Sequence, residues 1–366
     1  MIFRYRRWDP EELSEEKRTE QLMHLFNYLL LQTNGDVDQA LEWLRYLAKR
    51  FDLFGKSGDF RKFLEYLKGQ GLVEQTGEPG DVSHRLTNKG GRRVREDSLD
   101  MIFSSLKKSF SGLHLVPQEG KGVERLSETR AYQFGDPPSN IDFPTTISNA
   151  IRREGFDFAL REEDLEVYET EHLTSCATVL LLDISHSMVL YGEDRITPAK
   201  QVALALSELV MRKYPKDYFR VVLFGDEAYE VDVDKLPYVS VGPYHTNTKA
   251  ALQVAQSLLN HQQSANKQIF MITDGKPSAI FDRGRLYINS IGLDPRIVNR
   301  TIDEAARCRR QRITITTFMV TRDPYLVRFV KRLTEVNRGR AYYSALDRLG
   351  EYVFEDFVRN RRRRVR

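Results

Sequence analysis

The second half of the chain alternates short apolar segments with amphipathic helical segments, and this pattern constrains the fold more than any other feature of the sequence. Each apolar segment is continuous, as expected for a strand that is buried on both faces of a sheet. Strands that alternate with amphipathic helices predict a parallel sheet covered by helices on both faces, an α/β fold. The predicted strands are residues 177–183, 219–225, 268–273, 313–320 and 340–343. The predicted helices are residues 198–213, 248–259, 297–310, 324–336 and 346–358.

Side chains that carry oxygen lie where these segments end. Asp183, Ser185 and Ser187 occupy alternate positions after the first predicted strand, Thr246 precedes a helix, and Asp274 follows another strand. Ligand sites in open parallel sheets collect at the carboxyl ends of the strands. Three neutral hydroxyls and two carboxylates form an all-oxygen set that suits a hard cation, Mg²⁺ first and Mn²⁺ or Ca²⁺ as alternatives. We therefore expect these five residues to bind a divalent cation.

The three-part pattern of Asp-x-Ser-x-Ser, a distant Thr before a helix and Asp-Gly after a buried strand resembles the metal-ion-dependent adhesion site of von Willebrand factor A (VWA) domains. The resemblance covers residues 171–358. It implies a Rossmann-like sandwich in which the five residues above are metal ligands, directly or through water. It also implies that the site binds a partner protein through an acidic side chain of that partner.

Two positions depart from the pattern of the family. His186 stands between the two serines, where many members have Gly, and Tyr244 and His245 precede Thr246, where a Gly pair is common. Neither change removes a ligand. Two imidazoles near a cation would either lower its affinity when protonated or contact the partner.

With its helical front region and basic end, the chain is similar to the bacterial intracellular VWA proteins that work beside MoxR-type AAA+ ATPases, and more distantly to the magnesium chelatase D subunit. In those systems the VWA protein is an adaptor or co-chaperone, and the ATPase supplies the work. The sequence has no Gly-x-x-x-x-Gly-Lys-Ser/Thr loop, so we do not expect it to hydrolyse ATP. The expected partner is a protein with an exposed Asp or Glu, such as a MoxR-type ATPase.

Residues 1–108 are predicted to form a mainly helical front domain, because apolar residues recur there at helical spacing. A helix, Gly71-Leu72-Val73, a turn-rich stretch at 77–81 and then Leu86-Thr87 follow in an order that resembles the recognition helix and wing of winged-helix domains, many of which bind DNA. Residues 1–100 carry 17 Lys and Arg against 18 Asp and Glu, a net charge of −1, whereas phosphate binding needs a basic face. Nucleic-acid binding by this region and the arginine-rich end is therefore the alternative to protein binding.

The stretch between the two predicted domains is rich in Gly, Pro, Ser and charge, which predicts a connector with extended segments at 132–138 and 143–144. Leu165, Val167 and Tyr168 suggest an edge strand near its end. Residues 275–294 are predicted to form a mostly irregular loop. Its basic and aromatic residues suit an acidic partner surface. The predicted order is a front domain at 1–108, a connector at 109–170, the VWA domain at 171–358 and a basic tail at 359–366.

Several other classes of protein are disfavoured. Cys176 and Cys308 are the only cysteines, too few for a disulfide framework or a thiolate metal site, and the seven histidines lack zinc-binding spacing. No stretch approaches the roughly 18 apolar residues of a membrane span, and the first residues lack the apolar core of a signal peptide, which predicts a cytoplasmic protein. A Ser-His-Asp triad is disfavoured because neighbours at a strand end point in different directions. We therefore expect a binding protein and not an enzyme.

Overall fold

The structure is a computed structural model of the 366-residue chain. It describes residues 15–51, 53, 60–76, 83–109, 124–133, 141–155, 159–171, 175–264, 266–321, 323–343 and 346–361. The predicted turn at 77–81, most of the segment 132–138 and residues 362–366 of the basic tail lie outside the described residues.

The front region is mainly helical, as predicted, and it also contains a short hairpin. Strands β1 and β2 are antiparallel, with Val73 opposite Leu86. The hairpin follows the third helix, which is the position of the wing in the predicted winged-helix order. The elements are α1 (Glu15–Gln32), α2 (Val37–Phe51), α3 (Phe60–Gly69), β1 (Val73–Thr76), β2 (Ser83–Leu86) and α4 (Asn88–Ser109).

The stretch predicted as a connector contains more regular structure than expected. It consists of β3 (Glu124–Ala131), α5 (Phe143–Glu154) and β4 (Glu166–Glu171), with β3 antiparallel to β4. The predicted strand around Val167 is confirmed, but it pairs with β3 in a separate two-stranded sheet. The expectation that residues 143–144 are extended was wrong. Helix α5 begins at Phe143, and Pro144 fits its first turn because the amide hydrogen that proline lacks has no partner inside the helix there.

The second half forms a six-stranded, mostly parallel sheet, which confirms the predicted α/β fold. The strand order is β12-β11-β8-β5-β6-β7, and only β7 is antiparallel to its neighbour. All five predicted strands are present, with ends within two residues of the prediction. The strands are β5 (Cys176–Asp183), β6 (Tyr218–Phe224), β7 (Ala228–Val231), β8 (Asn266–Thr273), β9 (Ala279–Asp282), β10 (Arg285–Ile288), β11 (Ile313–Met319) and β12 (Arg340–Tyr343). The helices are α6 (Ile196–Lys213), α7 (Thr248–Asn260), α8 (Pro295–Arg310), α9 (Pro324–Asn337) and α10 (Leu349–Arg361).

The loop that follows β8 differs from the prediction of irregular chain. Strands β9 and β10 pair within it as an antiparallel hairpin, with Asp282 opposite Arg285. The two residues of its turn, Arg283 and Gly284, have φ of 50° and 78°, as a type I′ turn requires. Type I′ turns usually carry Asn or Asp at the first central position, and the arginine here is the reason that the sequence did not predict the hairpin.

The central strand β5 shows how the sheet is covered. All of its residues are buried, and their side chains alternate between the two faces. Leu180 and Leu182 join a core with α6, α10 and the front helices, whereas Val179 and Leu181 join a second core with α7, α8 and α9. Because burying each such side chain contributes about 1.5–3 kcal/mol, the strand is held firmly and its carboxyl end has a fixed position.

A buried lysine connects the front region to helix α6. The Lys200 ammonium donates to the Leu31 carbonyl at 2.6 Å, to Asn34 Oδ1 at 3.1 Å and to the Val239 carbonyl at 3.1 Å. Burial lowers the pKa of Lys200 to about 8. Since the acceptors come from separate parts of the chain, this one side chain links α1, α6 and the segment before α7.

Acidic side chains cap the starts of helices α9 and α6. Asp323 accepts from the backbone amides of Tyr325 and Leu326 at the start of α9, both at 2.8 Å. Helix α6, predicted to begin at residue 198, begins instead at Ile196. The Asp194 carboxylate accepts from the Thr197 backbone amide at 3.1 Å and so binds a free amide at this helix start.

Candidate metal centre

The five residues predicted as metal ligands meet at the carboxyl edge of the sheet. Asp183 is the last residue of β5, and Ser185 and Ser187 follow it in the turn that leads to α6. Asp274 directly follows β8, the strand beside β5, and Thr246 lies two residues before α7. Parallel pairing of β5 with β8 therefore places the two carboxylates side by side.

The hydroxyls form a continuous hydrogen-bonded chain. Thr246 Oγ1 donates to Ser185 Oγ at 3.1 Å, and Ser185 Oγ lies 3.1 Å from Ser187 Oγ. Ser187 Oγ donates to Asp274 Oδ1 at 2.6 Å. Asp183 closes the group, because its Oδ1 accepts from the Ser185 backbone at 2.9 Å. Oxygens from three separate segments are thus gathered into one cluster.

Gly275 leaves room next to this cluster. A Cβ at this position would lie 2.8 Å from Thr246 Oγ1, 3.1 Å from Ser187 Oγ and 3.7 Å from Asp183 Oδ2. The first distance is too short for a real carbon, so a side chain here would push into the oxygen cluster. The absence of a side chain leaves a space lined by oxygens, which is the kind of cradle that a small cation fits.

The charges in the cluster also fit a cation. Asp183 is fully buried, and burial, with the neighbouring charge of Asp274, raises its pKa to about 7. Burial likewise raises the pKa of Asp274, against the hydrogen bond from Ser187 and the charge of Arg195. Two buried carboxylates side by side are costly as anions, and a divalent cation between them would offset that cost. The donor set, with its three hydroxyls and two carboxylates, is suited to Mg²⁺.

Arg195 lies beside the cluster and was not predicted from the sequence. Its guanidinium Nη1 donates to Asp274 Oδ2 at 2.5 Å, while Nε and Nη2 donate to Glu193 at 3.1 and 2.7 Å. The side chain is only 10% exposed. A cation that binds Asp274 must therefore share that carboxylate with a buried guanidinium. Arg195 and Asp274 are 79 residues apart, and no spacing rule connects an arginine to a metal motif at such a distance.

Two further side chains position the predicted ligands. Thr273 Oγ1 donates to Asp183 Oδ2 at 2.5 Å and fixes the orientation of that carboxylate. Ser278 Oγ accepts from the Thr246 backbone at 3.0 Å and holds the Thr246 loop against the chain that follows β8. Both residues lie close in sequence to Asp274, but Ser and Thr in such loops are too common to be singled out.

The two histidines that depart from the family pattern lie at the rim of the cluster. His186 is exposed, and its backbone donates to the Tyr244 carbonyl at 3.1 Å. His245 Nδ1 pairs with Asp226 Oδ1 at 2.9 Å. Neither imidazole is hydrogen-bonded to any of the five predicted ligands, all of which are among the described residues.

The part of the chain that the structure describes contains neither a metal site built from charged and sulfur ligands alone nor a membrane-spanning helix. No three residues of the types His, Cys, Asp and Glu are grouped there so as to hold a metal ion, so the hydroxyls are essential to the candidate centre. Within the same residues, no helix has the length and apolar character needed to cross a membrane.

Comparison with known proteins identifies the family. Residues 176–358 match the family model described as Rv0959-like protein, vWA domain, and residues 124–170 match that described as Rv0959-like protein, third domain. Uncharacterized protein Rv0959 of Mycobacterium tuberculosis is 32% identical over an alignment of 314 residues that covers 81% of this chain and 44% of that protein. Uncharacterized protein Mb0984 of Mycobacterium bovis shows the same identity and coverage. The chain thus spans less than half the length of these curated relatives.

Solved structures with a similar fold are more distant. The PilB minor pilin from Streptococcus sanguinis is 16% identical, with a TM-score of 0.40 over 54% of this chain and 64% of that chain. The von Willebrand factor type A structure from Catenulispora acidiphila is 18% identical, with a TM-score of 0.38 over 53% of this chain and 44% of that chain. Likenesses at this level carry no inference about function. The family model matches residues 176–358, which are half of the chain, and the structure has the mostly parallel sheet with covering helices. The chain therefore belongs to the Rv0959-like vWA domain family.

Proposed function

We propose that the chain is a metal-dependent protein-binding adaptor, in which the VWA domain holds Mg²⁺ and through it binds an acidic side chain of a partner protein. The observation that carries this proposal is the hydrogen-bonded chain from Thr246 through Ser185 and Ser187 to Asp274, next to the space left by Gly275. The cluster combines oxygen ligands, buried negative charge and room for an ion in one place.

The residues of the cluster have distinct roles in this proposal. Ser185, Ser187 and Thr246 would hold the ion through neutral oxygens, while Asp183 and Asp274 would supply negative charge directly or through water. Bound Mg²⁺ supplies a positive charge and an open position that attract an outside carboxylate. Asp274 keeps the proton of the Ser187 hydroxyl turned toward itself, so that the lone pairs of Ser187 can face the ion.

A binding role suits the cluster better than catalysis does. His186 is exposed at the rim, and His245 is paired with Asp226, so neither imidazole is placed to take a proton from Ser185 or Ser187. We infer an adaptor in the cytoplasm whose partner is a MoxR-type AAA+ ATPase. This inference rests on the resemblance to VWA proteins that work beside such ATPases.

Nucleic-acid binding is the second candidate, and one observation favours it. The hairpin of β1 and β2 follows α3, as the wing follows the recognition helix in a winged-helix domain. The net charge of −1 over residues 1–100 argues against it. Binding to random duplex DNA that weakens steeply with salt, and that EDTA does not change, would favour this candidate.

The test of the adaptor proposal is capture of partners from a native cell extract by the intact protein. Wild type is compared with Asp183→Ala, each in Mg²⁺ and in EDTA, and bound proteins are identified by mass spectrometry. Asp303→Ala is the matched control, because Asp303 is an exposed aspartate on α8, away from the cluster. The proposal expects a partner that is retained by wild type and Asp303→Ala in Mg²⁺ only. Proteins that bind equally in every arm would contradict it.

A further inference from the structure

A cavity of about 370 Å³ opens at the amino edge of the sheet, at the other end of β8 from the candidate metal centre. The starts of β8, β11 and β12 and the ends of α8 and α9 surround it. None of the described residues that line it is acidic or aromatic. Its lining includes five basic side chains, those of Lys267, Arg309, Arg312, Arg338 and Arg340.

Most of this positive charge is not neutralised within the described chain. Arg340 is paired, because its Nε and Nη2 donate to the Asp356 carboxylate at 2.5 and 3.0 Å. The other four basic residues form no salt bridge with any described residue. Among the described residues, the Arg309 guanidinium has one hydrogen bond, a long one of 3.4 Å to the Val336 carbonyl.

The ends of two helices account for part of this positive charge. Helices α8 and α9 both end at the cavity, and the end of each carries about half a negative charge that favours a nearby cation. Two such ends offset about one of the four unpaired positive charges. A surplus of about three charges remains, more than the helix ends require.

The backbone at two of these residues is in a conformation that disfavours a side chain. Arg312 and Arg338 have φ of 60° and 58°, in the left-handed region where glycine is preferred after a helix. Each helix is therefore followed by an arginine at a position where glycine would adopt the same backbone conformation with less strain. Strain that is retained at two places around one cavity points to a role for the side chains that it holds there.

We propose that this cationic cavity binds a diphosphate or triphosphate group, either as a free inorganic anion or as the end of a nucleotide. Guanidinium groups recognise phosphate oxygens through paired hydrogen bonds, and several of them converge here. The volume is in the range of small-molecule sites. Because none of the described residues that line the cavity is aromatic, a base would have none of them to stack on, and the phosphates carry the recognition.

The phosphate site is separate from the candidate metal centre. Strand β8 joins the two, from Asn266 at the cavity to Thr273 beside the cluster. Eight residues of strand separate them by roughly 23 Å, at about 3.3 Å per residue. The phosphate site therefore does not depend on the proposed adaptor function, and either could fail without the other.

The test is calorimetric titration of the intact protein with pyrophosphate, tripolyphosphate, ADP and ATP. EDTA is present throughout, so that metal binding at the other edge does not contribute. The decisive variant is the double substitution Arg312→Gly and Arg338→Gly, which removes two charges at positions where glycine suits the backbone and therefore keeps the fold. Arg283→Gly is the matched control, because Arg283 also has a left-handed φ, of 50°, but lies in the β9–β10 turn outside the cavity.

The proposal predicts that wild type binds tripolyphosphate and that each lost arginine weakens binding about tenfold, so the double variant loses about 100-fold. Arg283→Gly should stay within about twofold of wild type, since surface charges that distant are screened. Equal affinities for tripolyphosphate and ATP would identify the free anion as sufficient, and much tighter binding of ATP would identify a nucleotide. The absence of binding to all four ligands, or equal binding by wild type and the folded double variant, would overturn the proposal.

Discussion

The guanidinium of Arg195 should weaken metal binding at the candidate centre, and removing its charge with Arg195→Gln should strengthen it. Arg195 Nη1 lies 2.5 Å from Asp274 Oδ2, and both side chains are buried. An arginine next to an aspartate stabilises the carboxylate by about 1–3 pKa units, which corresponds to about 1.4–4 kcal/mol. A divalent cation on Asp274 competes with this interaction.

The expected gain lies in the lower part of that range. Glu193 accepts from the other two nitrogens of the same guanidinium and offsets part of its charge. We therefore expect Arg195→Gln to bind Mn²⁺ about 10- to 100-fold more tightly than wild type, a gain of about 1.4–2.8 kcal/mol.

The assay is titration with Mn²⁺, in which the free ion is measured by electron paramagnetic resonance, followed by competition with Mg²⁺. A pH of 8 keeps Asp183 ionised, since its pKa is raised to about 7. Arg195→Lys keeps the charge and should resemble wild type. If a folded Arg195→Gln protein binds Mn²⁺ with the affinity of wild type or more weakly, the guanidinium does not compete with the ion and the reasoning fails.

Three other substitutions test the charges and packing around the same site and the helix behind it. In EDTA, Asp183→Asn should stabilise the protein. The pKa of Asp183 in the folded protein, about 7, lies above its ordinary value of 3.8, so the ionised carboxylate destabilises the fold. This destabilisation is absent below pH 3.8 and complete above pH 7. The gain should reach about 4 kcal/mol at pH 8 and about 1.5 kcal/mol at pH 5 in urea unfolding, and a gain independent of pH would contradict the assignment. Gly275→Ala should weaken Mn²⁺ binding at least about tenfold, since its Cβ would lie 2.8 Å from Thr246 Oγ1, and unchanged affinity would mean that the ion does not use this space. Lys200→Met should lower the free energy of unfolding by about 2–4 kcal/mol, because it leaves the Leu31 and Val239 carbonyls buried without a donor, and a neutral result would show that Lys200 does not link the front region to α6.

The sequence was sufficient to predict the sheet and the cluster of candidate ligands. Each buried strand is a continuous apolar run, a local signal that needs no knowledge of the rest of the chain. Because parallel strands end at a common edge, Asp183 and Asp274 could be placed together although β6 and α7 lie between them in the sequence. Binding of an ion, its identity and the partner stay predictions, as do the boundaries of the two predicted domains, the connector and the basic tail.

The features that escaped prediction depend on contacts between distant residues or on unusual backbone. Arg195 reaches Asp274 across 79 residues, and Lys200 reaches Leu31 across 169. The turn at Arg283 uses an arginine where Asn or Asp is common. The first two features depend on contacts between residues distant in sequence, and the third depends on a backbone conformation that the sequence does not mark.

The central claim is that the cluster around Asp183 and Asp274 binds a divalent cation, and calorimetric titration of the intact protein with Mg²⁺ at pH 8 tests it most directly. Wild type, Asp183→Ala and the control Asp303→Ala are compared, with folding of each checked by thermal unfolding in EDTA. The account predicts one site per chain in wild type and in Asp303→Ala, and its loss in folded Asp183→Ala. Absence of Mg²⁺ binding by wild type, or the same binding by Asp183→Ala, would contradict it.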